Sequence, residues 1–188
     1  MTFPQQYKSE LLKAIDTIEL DKVNQAIELF REARANGRHI FVCGNGGSAS
    51  TASHFACDIV KGASFNRPSR FRIMALTDQL PTLTAYANDV SYDSVFVEQL
   101  RNFAEPGDLF MGISGSGNSP NVLKAISFAG QKNLVTIGLT GGTGGNLRDV
   151  VDHCICVPSD QTPRIQEAHI LTGHILCELI DDELFPAK

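Results

Sequence analysis

His54 and Asp58 are the pair of side chains in this sequence best suited to proton transfer or metal binding. They stand four residues apart in a predicted helix, which places them on one face about 6 Å apart. A later predicted helix, TPRIQEAHILTGH, carries Gln166 and His174. Those two lie about 80° apart around the helix and about 12 Å apart along it, so they converge only by stretching or by coming from different copies of the chain. Taken singly, each histidine is better explained as a structural residue than as a ligand.

A serine-rich loop, ISGSGNSP at residues 113–120, follows one predicted strand and ends where a helix is expected to begin. Ser119 is predicted to cap that helix, with Pro120 in the first helical position, where its missing N–H costs nothing. Capping does not account for the hydroxyls of Ser114 and Ser116. Because hydroxyls and free amides at a helix start can hold a phosphate without Lys or Arg, this loop predicts a phosphate site.

A glycine-rich loop, GNGGS at residues 44–48, follows the first predicted strand. Glycine allows a ligand to approach the backbone, and a helix start favours an anion, although a simple strand-to-helix turn is the alternative explanation. The glycine spacing matches neither the dinucleotide fingerprint nor the P-loop, which disfavours a nucleotide-dependent dehydrogenase. A third glycine-rich stretch, TGGTGGN from Thr140, has no following hydroxyl cluster and is interpreted as a turn.

Continuous apolar runs alternate with helical patterns along the rest of the chain. Strands are predicted at RHIFVC, FRIMAL, DLFMGIS, LVTIGL and HCICV. Two amphipathic helices at about residues 5 to 36 precede them, with Asp21 predicted to cap the second and Gly37 to end it. Apolar strands separated by helices indicate a parallel sheet covered on both faces. The expected fold is a three-layer, doubly wound α/β domain of about five strands spanning residues 1–188, with ligands beyond the carboxyl ends of the strands.

The composition excludes several classes of function. The chain has 188 residues and a formal net charge of −5, and no cluster of Lys and Arg forms the basic surface of a nucleic-acid binder. No signal peptide and no stretch long enough to span a bilayer is found, so no membrane partner and a cytoplasmic location are expected. The five cysteines form no C-x-x-C pair and are expected to be reduced thiols in the core.

Five motifs in order make the sequence resemble the SIS-domain phosphoheptose isomerases. They are CGNGGSAS, the helix HFACD, AND at residues 87–89, ISGSGNSPN and TPRIQEAHILTGH. Members of that family convert sedoheptulose 7-phosphate to glycero-manno-heptose 7-phosphate for bacterial surface polysaccharide, have a flavodoxin-like fold and assemble as homotetramers. The resemblance therefore implies a phosphosugar isomerase in which the N-terminal helices, residues 1–36, serve oligomerisation.

The resemblance also implies roles for individual residues. The implied sugar contacts are Asn45, Gly46, Gly47, Ser48, Asp58, Asn88, Asp89 and Gln166, and the implied phosphate contacts are Ser114, Gly115, Ser116 and Ser119. The implied Zn²⁺ ligands are His54, Asp58, Gln166 and His174. Two positions depart from the family pattern, since Gly115 stands where a hydroxyl residue is common and Asp58 stands where the family has glutamate.

Isomerisation chemistry agrees with this set of residues. Moving a carbonyl between C1 and C2 needs a base, an acid and stabilisation of the enediol(ate) between them. We assign Asp58 as base and metal ligand and His174 as acid, with the site expected at a subunit interface because of the offset between Gln166 and His174.

The alternative is a non-catalytic SIS-domain protein that associates with the bacterial replication initiator. The tail LCELIDDELFP resembles that protein more than a typical isomerase. The retained Asp58 and His174 favour the enzyme.

Overall fold

The structure, a computed structural model, describes residues 2–182, with side chains described through residue 178. Its centre is a five-stranded parallel sheet in the order β2-β1-β3-β4-β5. The strands are β1 His39–Gly44, β2 Arg72–Ala75, β3 Leu109–Ser114, β4 Val135–Gly141 and β5 His153–Val157. The strand order reverses at β1 and β3, which makes the carboxyl ends of these two strands the expected ligand site. The predicted three-layer α/β fold with five strands is confirmed.

Helices cover both faces of the sheet. They are α1 Phe3–Asp16, α2 Leu20–Ala35, α3 Gly47–Cys57, α4 Leu80–Asp89, α5 Val97–Phe103, α6 Pro120–Gln131, α7 Gly145–Val150 and α8 Thr162–Asp182. Short 3₁₀ turns lie at Leu76–Asp78 and Tyr92–Ser94. One apolar core joins α1, α2, α3 and α8 to the sheet, and the other joins α5, α6 and α7 to the opposite face. Within residues 2–182, no helix combines the length and the apolar character needed to cross a membrane.

The N-terminal helices differ in how they bury their apolar residues. In α2, Val23, Ile27 and Phe30 are almost fully buried in the core, and the Phe30 ring lies 5.4 Å from the Phe55 ring of α3. In α1, Ala14 is the buried residue, while Phe3 is 73% exposed. Helix α2 thus packs these side chains within its own chain, whereas α1 keeps an exposed apolar side chain, and the role of the two helices in oligomerisation stays a prediction.

Two local features differ from the sequence prediction. The residue that caps α2 is Glu19, and Asp21 lies in the first turn, where its charge still favours the helix dipole. At the end of α3 the helix continues as a π-helical turn over Asp58–Ala63, a geometry that hydrophobic periodicity does not reveal. Gly37 follows α2 with φ of 64°, as predicted for a residue that ends a helix.

Candidate active site

His54, Asp58 and His174 meet within a single chain. The Asp58 Oδ2 atom lies 3.1 Å from His54 Nε2 and 3.7 Å from His174 Nε2. The two Nε2 atoms are 3.2 Å apart. Since the histidines come from helices 120 residues apart in sequence, tertiary packing creates this cluster. We call these three residues the His-Asp-His triad.

The triad has the geometry of a divalent metal site. Its three donor atoms lie within 4.8 Å of one another. Bonds of about 2.0–2.1 Å from a tetrahedral zinc would place ligand atoms about 3.3 Å apart, close to the separations observed here. Two imidazoles and one carboxylate form a donor set that leaves a fourth position for substrate or water. The residues present therefore fit a bound cation.

A cavity of about 350 Å³ opens beside the triad. Its wall includes Lys61 from the π-helical turn and Cys177 from α8. Burial, reinforced by the nearby Asp58 carboxylate, raises the pKa of the Cys177 thiol to about 12, so this cysteine stays protonated. The triad side chains are about half to one-third exposed, which leaves them accessible from this cavity.

Two helices running side by side in the same direction hold the triad. Near their starts, the Gln166 amide of α8 lies against Gly47 of α3, and about two turns further along both helices Gly173 lies against the Phe55 ring. A Cβ atom at Gly173 would be 3.4 Å from that ring, an ordinary van der Waals distance, so the two helices pack in direct contact here. This alignment brings His174 to His54.

Gln166 does not join the triad. A Cβ atom added at Gly47 would lie 2.3 Å from Gln166 Nε2, which places the Gln166 amide at the first residue of α3. His54 is seven residues further along, about 10 Å away along the axis. The chain gathers two histidines and one carboxylate, while the Gln166 amide lies at the glycine-rich loop, and Gln166 as a fourth ligand stays a prediction. His54, Asp58 and His174 meet without a second copy of the chain, so these three residues need not be shared between subunits.

The glycine-rich loop forms a cradle between β1 and α3. Gly46 has φ of 55°, a conformation that favours glycine, and no atom lies within 4 Å of where its Cβ would be. The carbonyl of Asn45 accepts a hydrogen bond from the Ser48 amide, and Ser48 itself is 6% exposed. The loop therefore leaves Asn45, Gly46 and Gly47 exposed or half-buried, with Ser48 buried beneath them.

The serine-rich loop lies at the neighbouring strand end. Ser114 and Ser119 form a hydroxyl pair with oxygens 3.0 Å apart, and the exposed Ser116 hydroxyl accepts from the Asn118 amide at 3.2 Å. Ser119 occupies the cap position before Pro120, but its hydroxyl makes no hydrogen bond to the helix amides. The predicted position is confirmed and the predicted capping bond is wrong, because the Ser119 hydroxyl pairs with Ser114 instead.

Comparisons with known proteins agree with this arrangement. Residues 5–141 match the family model described as the SIS domain. Phosphoheptose isomerase 2 of Campylobacter jejuni is 46% identical over 95% of this chain and 87% of its own, and the phosphoheptose isomerase of Aneurinibacillus thermoaerophilus is 43% identical over 95% and 86%. The solved phosphoheptose isomerase of Neisseria gonorrhoeae superposes with a TM-score of 0.87 at 36% identity, covering 95% of this chain and 96% of its own. The chain belongs to the SIS-domain phosphoheptose isomerase family.

Within this SIS-domain chain, the third glycine-rich stretch is more than a turn. The Gly141 amide donates to the Gly115 carbonyl at 3.0 Å, and the Leu147 amide donates to the Gly117 carbonyl at 2.9 Å. A Cβ atom at Gly117 would lie 1.9 Å from the Gly144 carbonyl oxygen, so the two loops pack backbone to backbone. The stretch from Thr140 thus supports the serine-rich loop.

Asn88 and Asp89 remain apart from both loops. They end α4, are exposed, and bond to each other, with Asn88 Nδ2 2.7 Å from Asp89 Oδ1. Among the contacts described for residues 2–182, none joins them to the triad or to the serine-rich loop. Tyr92, three residues later, does reach the glycine-rich loop, where its hydroxyl donates to Asn45 Oδ1 at 2.9 Å.

Sequence reasoning missed Tyr92 and Asn121. Asn121 is 1% exposed and exchanges hydrogen bonds with Asn45. A polar side chain two residues after Ser119, at the start of a helix, was the signal available for Asn121. No local pattern indicates that Tyr92 approaches residue 45.

Proposed function

We propose that this protein is an aldose-ketose isomerase that interconverts sedoheptulose 7-phosphate and D-glycero-D-manno-heptose 7-phosphate through an enediol(ate). One observation carries the proposal: a His-Asp-His triad lines a cavity of about 350 Å³ in a chain whose relatives are phosphoheptose isomerases. The enzyme would supply heptose for bacterial surface polysaccharide.

Asp58 acts as the base and His174 as the acid. The Asp58 carboxylate removes the proton from the carbon next to the carbonyl, and the same proton is returned to the neighbouring carbon. The His174 Nε2 atom lies 3.7 Å from Asp58 Oδ2, and with Nε2 as a metal ligand the imidazole would exchange a proton with the sugar oxygens through Nδ1 as the carbonyl moves. Both groups are accessible from the cavity, which supports these roles.

His54, Asp58 and His174 would hold a zinc ion, whose chemistry is to polarise the sugar carbonyl and stabilise negative charge on oxygen. His54 has its Nε2 directed at the other two donors, which suits a ligand. Gln166 contacts the glycine-rich loop, which supports its assignment to the sugar, and its role as a fourth zinc ligand stays a prediction of the resemblance.

The substrate would extend between two ends of the site. Ser114, Ser116, Ser119 and the Gly115 amide hold the phosphate, and the Asn45–Gly47 cradle, backed by Ser48, contacts the sugar. The triad lies about 10 Å along α3 from Gly47, a distance that calls for an extended phosphosugar chain. Asn88 and Asp89 are assigned to the sugar by resemblance, which requires α4 to approach the cradle when ligand binds.

We further propose a homotetrameric assembly in the cytoplasm, with neither nucleic acid nor membrane as a partner. Helix α1 supports self-association, because Phe3 is 73% exposed and Leu12 is 51% exposed. Apolar side chains left exposed on one helix are typical of an interface between copies.

The regulatory alternative receives no support from the relatives named above, which are isomerases. Residues 183–186 of the tail that suggested it lie outside the described residues.

The decisive experiment incubates the purified protein with sedoheptulose 7-phosphate and measures formation of the aldose. Fructose 6-phosphate serves as a shorter ketose phosphate, and parallel reactions contain a chelator followed by added Zn²⁺. We expect turnover of the heptose phosphate, loss of activity with chelator and recovery with zinc. A folded wild-type protein that forms no aldose from sedoheptulose 7-phosphate would refute the isomerase function.

A further inference from the structure

Asn45 and Asn121 form a reciprocal pair of side-chain amides between the two ligand loops. Asn45 Nδ2 donates to Asn121 Oδ1 at 2.8 Å, and Asn121 Nδ2 donates to Asn45 Oδ1 at 2.9 Å. Asn121 is 1% exposed and lies in the first turn of α6, just after the serine-rich loop. The pair therefore couples the glycine-rich cradle to the expected phosphate site.

One backbone amide determines which way both side chains point. The Val122 N–H donates to Asn121 Oδ1 at 2.9 Å, and a backbone N–H can only donate. Rotating the Asn121 amide by 180° would place its NH₂ group against the Val122 N–H, and two donors cannot bond to each other. The Asn121 oxygen must therefore face Val122. The Asn121 NH₂ group then faces Asn45, which obliges Asn45 to turn its oxygen toward Asn121.

The lone pairs of Asn45 Oδ1 are fully used. A carbonyl oxygen has two, and this one accepts from Asn121 Nδ2 and from the Tyr92 hydroxyl at 2.9 Å. Asn45 Nδ2 has two protons, one of which is donated to Asn121 Oδ1. The remaining Asn45 N–H is free of this network, so Asn45 can offer a ligand a donor and no acceptor.

Whereas Asn45 offers a ligand a donor, Tyr92 can offer an acceptor. Its proton is committed to Asn45, so its oxygen keeps lone pairs that can accept. Tyr92 is 56% exposed, whereas its partners Asn45 and Asn121 are more buried, which leaves the tyrosine oxygen accessible to a ligand in the cradle.

We propose that Asn45, as donor, and Tyr92, as acceptor, together bind one hydroxyl of the sugar, with Asn121 as the positioning residue that orients Asn45. The Asn45 N–H donates to the hydroxyl oxygen, and the Tyr92 oxygen accepts the hydroxyl proton. Since this deepens the proposed function, it rests on a polyhydroxylated phosphosugar occupying the cradle. Tyr92 is then a specificity-determining residue of the isomerase.

The test compares Tyr92→Phe with wild-type enzyme on sedoheptulose 7-phosphate and on a set of its single-deoxy analogues. Loss of one neutral hydrogen bond should lower kcat/KM about tenfold on the full substrate. For one analogue, wild-type and Tyr92→Phe should have equal kcat/KM, because the hydroxyl that Tyr92 reads is missing. A tyrosine with a structural role alone would lower activity by the same factor on every substrate, and that result, or no loss at all, would overturn the assignment.

Asn121→Asp tests the positioning role. It keeps size and the bond from Val122 but replaces the donor to Asn45 with an acceptor, so Asn45 should lose its orientation and KM should rise. Because Tyr92→Phe and Asn121→Asp act on the same amide, the double variant should lose less than the product of the two single losses. Asn102→Ala is the matched control, since this exposed asparagine bonds to the Glu98 carbonyl of its own helix. If the losses of the two single variants multiplied in the double variant, Tyr92 and Asn121 would not act through the same Asn45 amide.

A second measurement separates this inference from the proposed function. In ligand-free protein labelled with ¹⁵N-asparagine, Asn45→Asp identifies the Asn45 side-chain NH₂ resonances. Tyr92→Phe and Asn121→Asp should each shift those resonances, and Asn102→Ala should not. If the wild-type protein is inactive on the phosphosugar, the isomerase proposal fails, but this spectrum still tests the orientation of Asn45. Asn45 resonances that do not shift in either variant would overturn the proposed orientation.

Discussion

Asp58 is the residue on which the proposed chemistry depends most. Its Oδ2 atom contacts both histidines of the triad, so it can serve as base and as ligand. The family pattern that the sequence resembles has glutamate at this position, and the cavity of about 350 Å³ beside the triad has room for one more methylene. The shorter Asp58 side chain keeps its carboxylate in contact with both histidines.

Asp58→Asn should lower kcat at least about 100-fold, because the amide cannot accept the substrate proton. Asp58→Glu should retain activity. Asp149→Asn, an exposed position on α7, is the matched control and should match wild type in the same aldose-formation assay. If Asp58→Asn were as active as this control, Asp58 would have no catalytic role.

Ser119→Ala should raise KM for the phosphosugar, because one phosphate-binding hydroxyl is removed. Its effect on the free energy of unfolding should stay at or below about 1 kcal/mol, since the hydroxyl bonds to Ser114 rather than capping α6. Ser127→Ala, exposed on the same helix, controls for a general loss of hydroxyl. Steady-state kinetics and thermal unfolding measure the two effects, and an unchanged KM would argue against a phosphate contact.

At the scale of elements, α3 and α8 approach each other through Gly47. Gly47→Ala should displace the Gln166 amide, because the new Cβ would lie 2.3 Å from its Nε2. The displaced atoms are the end of a flexible side chain, so stability should change little while KM rises. Gln166→Ala should raise KM to a similar degree, and the double variant should be no worse than either.

Gly130→Ala is the control for Gly47→Ala, since no atom lies within 4 Å of the added Cβ. Additive effects of Gly47→Ala and Gln166→Ala would show that the two residues act separately.

His169 anchors the middle of α8 to the carboxyl end of β4. It is 1% exposed, its Nε2 donates to the Thr140 carbonyl at 3.0 Å, and its Nδ1 is buried without a partner. Burial disfavours the imidazolium and lowers the pKa of His169 below its usual 6.5. Protonation is therefore easier in the unfolded chain than in the folded one.

The protein should lose stability as pH falls through 6.5, where the unfolded state binds a proton that folded His169 does not. Above that pH both states are neutral at this residue, and it contributes no pH dependence. Denaturant unfolding between pH 7.5 and 5.5 measures this trend. His169→Phe removes the titrating group and should flatten the pH dependence relative to wild type; an equal slope in the variant would assign the trend to other residues.

For the whole molecule, the triad within one chain makes a definite prediction about assembly. Asp58→Asn and His174→Ala subunits, mixed after dissociation and reassembly, should recover no activity, because every triad in the hybrid keeps one defect. Wild-type protein taken through the same steps is the control for reassembly, and light scattering measures the size of the hybrids. Activity in verified hybrids would mean that neighbouring chains share catalytic residues.

Much of the fold could be predicted from the sequence because its signals are local. Apolar runs mark the five strands, helical periodicity marks the helices between them, and Pro120 marks the start of α6. The candidate ligand loops were found for the same reason, since glycines and serines at the end of a strand act through their own backbone and hydroxyls. Even the pairing of His54 with Asp58 is local, because it depends on a spacing of four residues in one helix.

Tertiary structure decided which distant side chains meet. His174 reaches His54 because α8 packs alongside α3, with Gly173 against the Phe55 ring, and the same packing places Gln166 at Gly47. Helical periodicity predicts the face on which a residue lies, but not the partner helix, its direction or whether the partner belongs to the same copy. The bonds of Asn45 to Asn121 and Tyr92 likewise join segments 76 and 47 residues apart, so they exist once the sheet has brought the ends of β1 and β3 together.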